Sequence, residues 1–327
     1  MFSDHAWGGV ASSARITVII PCFNDGPLIG EAVDSIREPE PVEIVIVDDC
    51  STDPATLACY PELEARGCRL LRHATNLGSG AARNTGLAAA STPYVFNLDA
   101  DDLLLPGVLS QMASLLDADP EADAAYGDYE EFGASQGVRR TVPVLDPYRV
   151  AYVNKFPGIA MFRRETLERV GGWPTDGGYE DWALWMTLAE RGIKVLHTGS
   201  VVFRYRTDPN RNFGRDRRDH ASVYRHLRDH HPNLFANLRA HRGRSSLPWF
   251  WKHAYPLLYV GGRPRFERTR RIVRHLIPTW SPALRQGVGV RRTTWPRHQR
   301  LRQQRKPPND AWKLPEKFNQ PPSPKEN

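Results

Sequence analysis

A chain of 327 residues, 40% hydrophobic and 25% charged, is long enough for a large α/β domain with a sizeable core. No run approaches the ~18 to 20 consecutive apolar residues of a membrane-spanning helix. The first residues lack the basic start and apolar run of a secretory signal, so a cytoplasmic location is expected. The net charge of +7 conceals an asymmetry: residues 1–203 carry 15 Lys/Arg against 29 Asp/Glu, and residues 204–306 carry 26 against 5. An acidic front and a basic rear suggest two tasks. Cys22, Cys50, Cys59 and Cys68 match no zinc-ligand spacing and are expected to be free thiols.

Residues 1–14 read as disordered. The run Ile16 to Ile20 is β-branched, stops at Pro21, and fits a fully buried strand. Asp25-Gly26-Pro27 opens a helix with Leu28, Ile29, Ala32, Val33 and Ile36 on one stripe. Glu43 to Val47 is a second strand, followed by a polar loop in which Asp53-Pro54 suits a helix cap. Arg69 to Arg72 is a short third strand, Gly78 to Ala90 a helix of small residues, and Tyr94 to Leu98 a fourth strand. Helices are expected over 106–116, 164–170 and 180–191, and strands over 124–129 and 194–202, with a strand or loop over 138–142. Strand and helix in alternation, with short apolar strands, predict a mostly parallel central sheet covered on both faces. From about residue 208, His and Arg become dense, and Ser246 to Val260 is aromatic-rich. Residues 208–302 are therefore expected to form a basic, mainly helical extension, and 303–327 a disordered tail.

In such sheets, ligands bind beyond the carboxyl ends of the strands. Polar clusters fall at three of those ends: Asn24-Asp25, Asp48-Asp49, and Asp99-Ala100-Asp101-Asp102. Carboxylates at the end of a buried strand are costly unless a cation meets them. A divalent metal is the natural partner, and such a metal usually brings phosphates. Gly78-Ser79-Gly80 fits no phosphate-loop pattern and is assigned to tight helix packing.

Four segments in this order, ITVIIPCFNDG, EIVIVDDCSTD, NLGSGAARNTGLAAASTPYVFNLDADDLLLP and GGWPTDGGYEDWALWMTLAERG, resemble the inverting, metal-dependent glycosyltransferases of family 2. The resemblance covers about residues 15–206 and implies the GT-A fold, a Rossmann-like sheet. It divides residues 15–207 into a nucleotide-sugar donor half, 15–105, and an acceptor half, 106–207. Asp99 and Asp101 match that family's Asp-X-Asp, which holds Mn²⁺ or Mg²⁺ against the diphosphate. Asp101 is then the principal ligand, Asp99 touches the ribose or acts through water, and Asp102 supports either. Asp49, beside Asp48, matches the residue that receives the base. Pro21, Phe23 and Asn24 match the loop along the nucleoside.

Arg83 resembles an arginine near base or phosphates, though a structural salt bridge suits it as well. Glu180-Asp181 matches the acidic pair, with Asp181 as general base and Glu180 orienting it or the acceptor. The helix dipole would favour ionised Asp181. Trp173 could form part of the acceptor wall, and Arg204-Tyr205-Arg206 falls where the family places groups near the diphosphate. The Gln-x-x-Arg-Trp of processive synthases does not occur, which favours a single transfer. The implied partners are a nucleotide-diphosphate sugar, a UDP-sugar foremost, and a glycan or lipid-linked acceptor, as in cell-surface polysaccharide synthesis.

Two other classes fit less well. A nicotinamide oxidoreductase wants G-x-G-x-x-G after the first strand, where this chain has Pro21 to Gly26. The basic rear invites a nucleic acid, but no recognised motif accompanies it and the acidic front would repel DNA. An anionic membrane surface suits the basic, aromatic residues 246–275 better.

Overall fold

The computed structural model describes residues 14–176, 178–208, 220–260 and 263–264. The expected disordered ends, apart from residue 14, and residues 265–302 of the basic extension lie outside the described residues.

The first half alternates β1 (Ile16–Cys22), α1 (Leu28–Asp34), β2 (Glu43–Asp48), α2 (Pro54–Ala65), β3 (Arg69–Arg72), α3 (Ser79–Ala89) and β4 (Tyr94–Asn97). The second half follows with β5 (Leu103–Leu104), α4 (Val108–Ala118), β6 (Ala122–Gly133) and β7 (Gly137–Arg139). It continues through α5 (Pro147–Val150), β8 (Met161–Arg163), α6 (Arg164–Val170), α7 (Glu180–Glu190) and β9 (Lys194–Thr207). The main sheet has the order β3-β2-β1-β4-β8-β6-β9-β5, with β7 on β6. β1 to β4 are mutually parallel, and β6 pairs β9 in parallel; β5, β7 and β8 run the other way.

Alternate side chains of β1 feed two cores, as the period of a strand requires. Ile16, Val18 and Ile20 pack with α1, α2 and α4 on one face. Ile19 and Val95 pack with α3, α6 and α7 on the other. Asp53 caps α2 by accepting from the Thr56 amide at 2.9 Å, with Pro54 in the first turn.

β1 does not stop at Pro21; it runs on to Cys22, with Pro21 in register with Val47. The reason lies in the ladder. Ile19 faces β4, accepting from the Leu98 amide at 3.0 Å, and Pro21 faces the same side two residues on. β4 has ended there, at Asn97, so the N–H that proline lacks is not needed. β5 and β8 were not foreseen, since two and three residues are too short to show a period. β9 is longer than 194–202 because its last residues are held on both sides, by β6 and by β5.

Beyond β9, the described residues form the helices α8 (His220–His230), α9 (Pro232–Ala236), α10 (Leu238–Arg244) and α11 (Trp249–Leu258), followed by the short antiparallel pair β10 (Tyr259–Val260) and β11 (Arg263–Pro264). They do not stand apart from the sheet. Tyr224, Leu227 and Leu234 join Trp182 and Trp185 in one core, and Trp251 and Tyr255 pack with Tyr148 of α5. The aromatic stretch expected at a membrane thus turns Trp251 and Tyr255 into the protein. Among the described residues, no helix is long and apolar enough to cross a membrane.

α3 lies unusually close to β1: a Cβ on Gly86 would sit 2.3 Å from Ile19 Cγ2. Gly86→Ala gains about 1 kcal/mol of helix propensity but overpacks the core by about 1–3 kcal/mol. A net loss of stability is expected, read as a lower urea midpoint with an unchanged slope.

Candidate active site

The carboxyl ends of β2, β1 and β4 lie side by side in the sheet, and α3 carries the residues that join them to the second half. Ser79, Gly80, Arg83 and Asn84 share a face of that helix, as spacings of one, four and five residues require. That face meets the segment 172–180. Asn84 grips the Trp173 backbone, accepting from its N–H at 2.8 Å and donating to its C=O at 2.7 Å. A Cβ on Gly80 would come within 2.5 Å of the Pro174 carbonyl oxygen, which accounts for the glycine. The packing role expected of Gly78-Ser79-Gly80 is therefore correct for Gly80, while Ser79 donates to Glu180 Oε1 at 2.5 Å.

Arg83 is the centre of the arrangement. It is 4% exposed, and its two terminal nitrogens donate to Asp99 Oδ1 and Glu180 Oε1, each at 2.7 Å. One guanidinium thus spans the acid loop after β4 and the first turn of α7. The salt bridge expected of Arg83 is present, to two carboxylates. Glu180 consequently faces Arg83 and Ser79. Burial opposes its ionisation, but the Arg83 charge and these hydrogen bonds outweigh it and hold the carboxyl below the ordinary range.

Asp181 is different. Its Oδ2 accepts from Asn154 Nδ2 at 2.9 Å, and Gly158 lies opposite with no side chain in between. Asn97 at the end of β4 fixes that glycine by donating to its carbonyl at 2.6 Å. Burial, then the neighbouring Glu180 charge, push the Asp181 carboxyl up to about 6. This reverses the expectation from the helix dipole, because desolvation and a like charge exceed the ~0.3–1 kcal/mol that a helix terminus supplies.

The three acid-loop carboxylates separate as well. Asp99 is held by Arg83. Asp102 is fully buried; Oδ1 accepts from the Arg206 amide at 2.7 Å, while Oδ2 has no hydrogen-bond partner. Burial, then the charges of Asp99 and Asp101, raise the Asp102 carboxyl well above the ordinary range. Closely set carboxylates with an orphaned buried oxygen suit a divalent cation bound by oxygen ligands. Arg206 wraps the loop from below, its Nε donating to the Asp101 carbonyl at 2.8 Å and its guanidinium pairing with Glu31. Tyr205 stays protonated, through burial and the charges of the same three aspartates. Arg204 turns away to Glu130 and the Phe132 ring.

At the ends of β1 and β2, Asp49 has a structural task that the sequence did not reveal. It is 3% exposed, and it accepts from His73 Nδ1 at 2.7 Å and from the Leu77 and Gly78 amides at 2.8 and 2.7 Å. It therefore pins the entry of α3 to the end of β2. Asp48, also buried, accepts from the Ser51 amide. Asn24, in the left-handed region at φ 58°, accepts from the Thr52 and Asp53 amides and so ties the β1 loop to the β2 loop. Phe23 is 45% exposed beside it and offers an aromatic face; Pro21 is half-buried. Trp173 requires a correction. Its ring is 2% exposed and packs edge-on against Phe162, so it has no free face for an acceptor. Asn154, Ser79 and Asn97 were missed: isolated polar residues carry no periodic or motif signal.

With this geometry in view, known proteins decide the family. Residues 17–172 match the pattern described as glycosyl transferase family 2. They form a family 2 glycosyltransferase domain, as the resemblance implied. The chain is 29% identical over 205 residues to the uncharacterized glycosyltransferase YwdF of Bacillus subtilis, covering 58% of this chain and 74% of that protein. It is 37% identical over 107 residues to the succinoglycan biosynthesis protein ExoO of Rhizobium meliloti, covering 32% and 30%. Several curated relatives are much longer than the match, which spans 22% to 31% of three of them. The fold resembles the crystal structure of S. aureus TarS 1-349 in complex with UDP-GlcNAc, with a TM-score of 0.58 and 19% identity over 84% of this chain and 80% of that one. The mixed α/β fold is that of the GT-A glycosyltransferases.

Removing one partner of a buried ion pair costs ~3–5 kcal/mol. Arg83→Ala should lose stability on that scale, and Arg83→Lys should recover little, since one ammonium cannot reach both carboxylates in a fixed fork. Chemical denaturation of the three proteins measures this. Because Asp181 binds its proton more tightly folded than unfolded, it costs stability as pH rises from about 4 to about 6. Asp181→Asn should therefore melt higher than the parent at pH 7, with the gap closing towards pH 4.

Proposed function

We propose that this chain transfers one sugar from a nucleoside-diphosphate sugar to an acceptor hydroxyl, with inversion, in the assembly of a surface polysaccharide. The observation that carries the reading is Arg83, which holds Asp99 of the acid loop and Glu180 beside Asp181 within one crevice. This pairing supports the reading because it ties the proposed donor-side and acceptor-side carboxylates to one arginine. The relative ExoO is named for succinoglycan biosynthesis, and TarS was crystallised with UDP-GlcNAc, which makes a UDP-sugar the first donor to test.

Asp101, with Asp99 and Asp102 beside it, would hold Mn²⁺ or Mg²⁺. Bound there, the ion would supply positive charge against the negative charge that develops on the diphosphate as the anomeric C–O bond breaks. The chain's own residues do the rest. Phe23 offers its exposed ring to the nucleoside, and Asn24 and Asp49 hold the two loops that flank it. Asp181 takes the proton from the acceptor oxygen as that oxygen attacks the anomeric carbon from the face opposite the diphosphate. A carboxyl raised to about 6 is a better base than an ordinary aspartate and is still mostly ionised at pH 7. Asn154 keeps its Oδ2 aimed, and Arg83 holds the neighbouring Glu180 away from the acceptor proton.

The acceptor is proposed to be membrane-borne. One face of α11 leaves Trp249 at 74% and Leu257 at 66% exposed, and residues 238–258 carry Arg239, Arg242, Arg244 and Lys252 with no acidic residue. Trp249→Ala with Leu257→Ala should reduce sedimentation with anionic vesicles; unchanged sedimentation would remove the proposal.

Screening UDP-, GDP- and dTDP-sugars by thermal shift with and without Mn²⁺ identifies the donor, since a bound donor raises the melting temperature by mass action. Asp101→Ala should abolish the Mn²⁺-dependent part of that shift. Asp181→Asn should keep the shift and lower turnover by at least about 100-fold. The acid limb of kcat/KM should lie near pH 6, not near 4. Full turnover in both variants would overturn the assignment.

A further inference from the structure

Away from the acid loop, Asp176, His226 and His230 bring three metal-type ligand atoms to within 4.8 Å of one another. The histidines stand one turn apart on α8, so their rings share a face and lie 3.8 Å apart between centroids. Asp176 is in the loop that leads to α7. Its Oδ2 lies 3.1 Å from His226 Nε2 and 3.2 Å from His230 Nε2.

The protons on these rings raise a question. His230 Nδ1 lies 2.9 Å from the His226 carbonyl oxygen. A carbonyl only accepts, so Nδ1 carries a proton, and in the neutral ring Nε2 presents a lone pair. That lone pair points at a carboxylate oxygen, which also only accepts. Two acceptors at this distance repel unless something positive lies between them. One divalent cation answers to all three groups. The Nδ1–H to backbone carbonyl bond is also the contact that fixes a metal-binding histidine in the tautomer that ligates through Nε2.

Distances and ligand types agree. Zn–N and Zn–O bonds of about 2.0–2.2 Å place neighbouring ligand atoms roughly 3–3.5 Å apart; the two carboxylate–imidazole separations are 3.1 and 3.2 Å, and all three atoms lie within 4.8 Å of one another. Two imidazole nitrogens and one carboxylate oxygen favour a borderline ion such as Zn²⁺ over Mn²⁺ or Mg²⁺, whereas the acid loop offers oxygen alone. The three side chains are 61%, 30% and 53% exposed, which leaves room for water as a further ligand.

We propose that Asp176, His226 and His230 form a second cation site of the Zn²⁺ class, chemically distinct from the acid loop. Asp176 is three residues after Trp173, which Asn84 grips, and four before Glu180. A cation there ties the approach to α7 directly to α8, and so braces the turn that presents Asp181. The left-handed Tyr179, at φ 54°, is the strained residue of that turn.

The test uses the full chain, untagged and carrying Asp101→Ala so that the acid loop is disabled. Titration with ZnCl₂ alone should show one equivalent bound, at least about tenfold tighter than MnCl₂, and should raise the melting temperature. His226→Ala, His230→Ala and the exposed Asp176→Asn, each added to that background, should weaken Zn²⁺ binding by at least about tenfold and remove the thermal shift. Co²⁺ should give a visible absorption band that the three variants lose, which reports ligation even if one variant is poorly folded. Absence of Zn²⁺ binding by the parent, or equal binding and the same Co²⁺ band in Asp176→Asn and His230→Ala, would overturn the site.

Discussion

A guanidinium removed from water must be met by negative charge, and Arg83 sets that requirement at the middle of the molecule. Its partners come from different parts of the chain: Asp99 from the end of β4 and Glu180 from the start of α7. The arginine is costly to bury alone, and each carboxylate would be costly without it. The mutual need fixes where α7 begins relative to the sheet. Everything proposed for the reaction depends on that placement, because Asp181 is the next residue along.

The same small region drives chemically identical groups apart. Glu180 is held ionised by Arg83 and Ser79, while Asp181, one residue later, is raised by burial and by Glu180 itself. Asp99 has a cation, and Asp102 has a buried oxygen with no partner. Position relative to one arginine thus decides which carboxylate carries fixed charge, which accepts a proton near neutrality, and which is left wanting a cation. The helix dipole at α7 is real but too weak to decide the matter.

α3 shows how packing and chemistry share one element. Gly86 lets the helix approach Ile19, and Gly80 lets it approach the Pro174 carbonyl. Between these two close contacts, Arg83 and Asn84 reach the second half of the molecule. The C-terminal helices extend the same core, since Tyr224 and Leu227 pack on the buried aromatics of α7. The basic rear of the sequence is therefore partly an internal support: Tyr224, Leu227, Trp251 and Tyr255 turn inward, while Trp249 and Leu257 stay exposed.

The sequence by itself determined the alternating β/α order and the placement of polar clusters at the ends of β1, β2 and β4. Apolar periodicity and caps such as Asp53-Pro54 are local properties, and local properties are legible residue by residue. The resemblance to family 2 enzymes singled out Asp101, Asp181 and Arg83 as candidate site residues. Only the tertiary structure decided what each faces. The two-residue and three-residue strands β5 and β8 exist because longer neighbours pair with them, which no short run announces. Asp49 turned out to hold a loop, and Trp173 a core position, because their partners are distant in sequence. Asn154 entered the site with no motif at all, by meeting Asp181 across 27 residues. Desolvation and pair geometry depend on what surrounds a side chain in space, and that information is absent until the chain is folded.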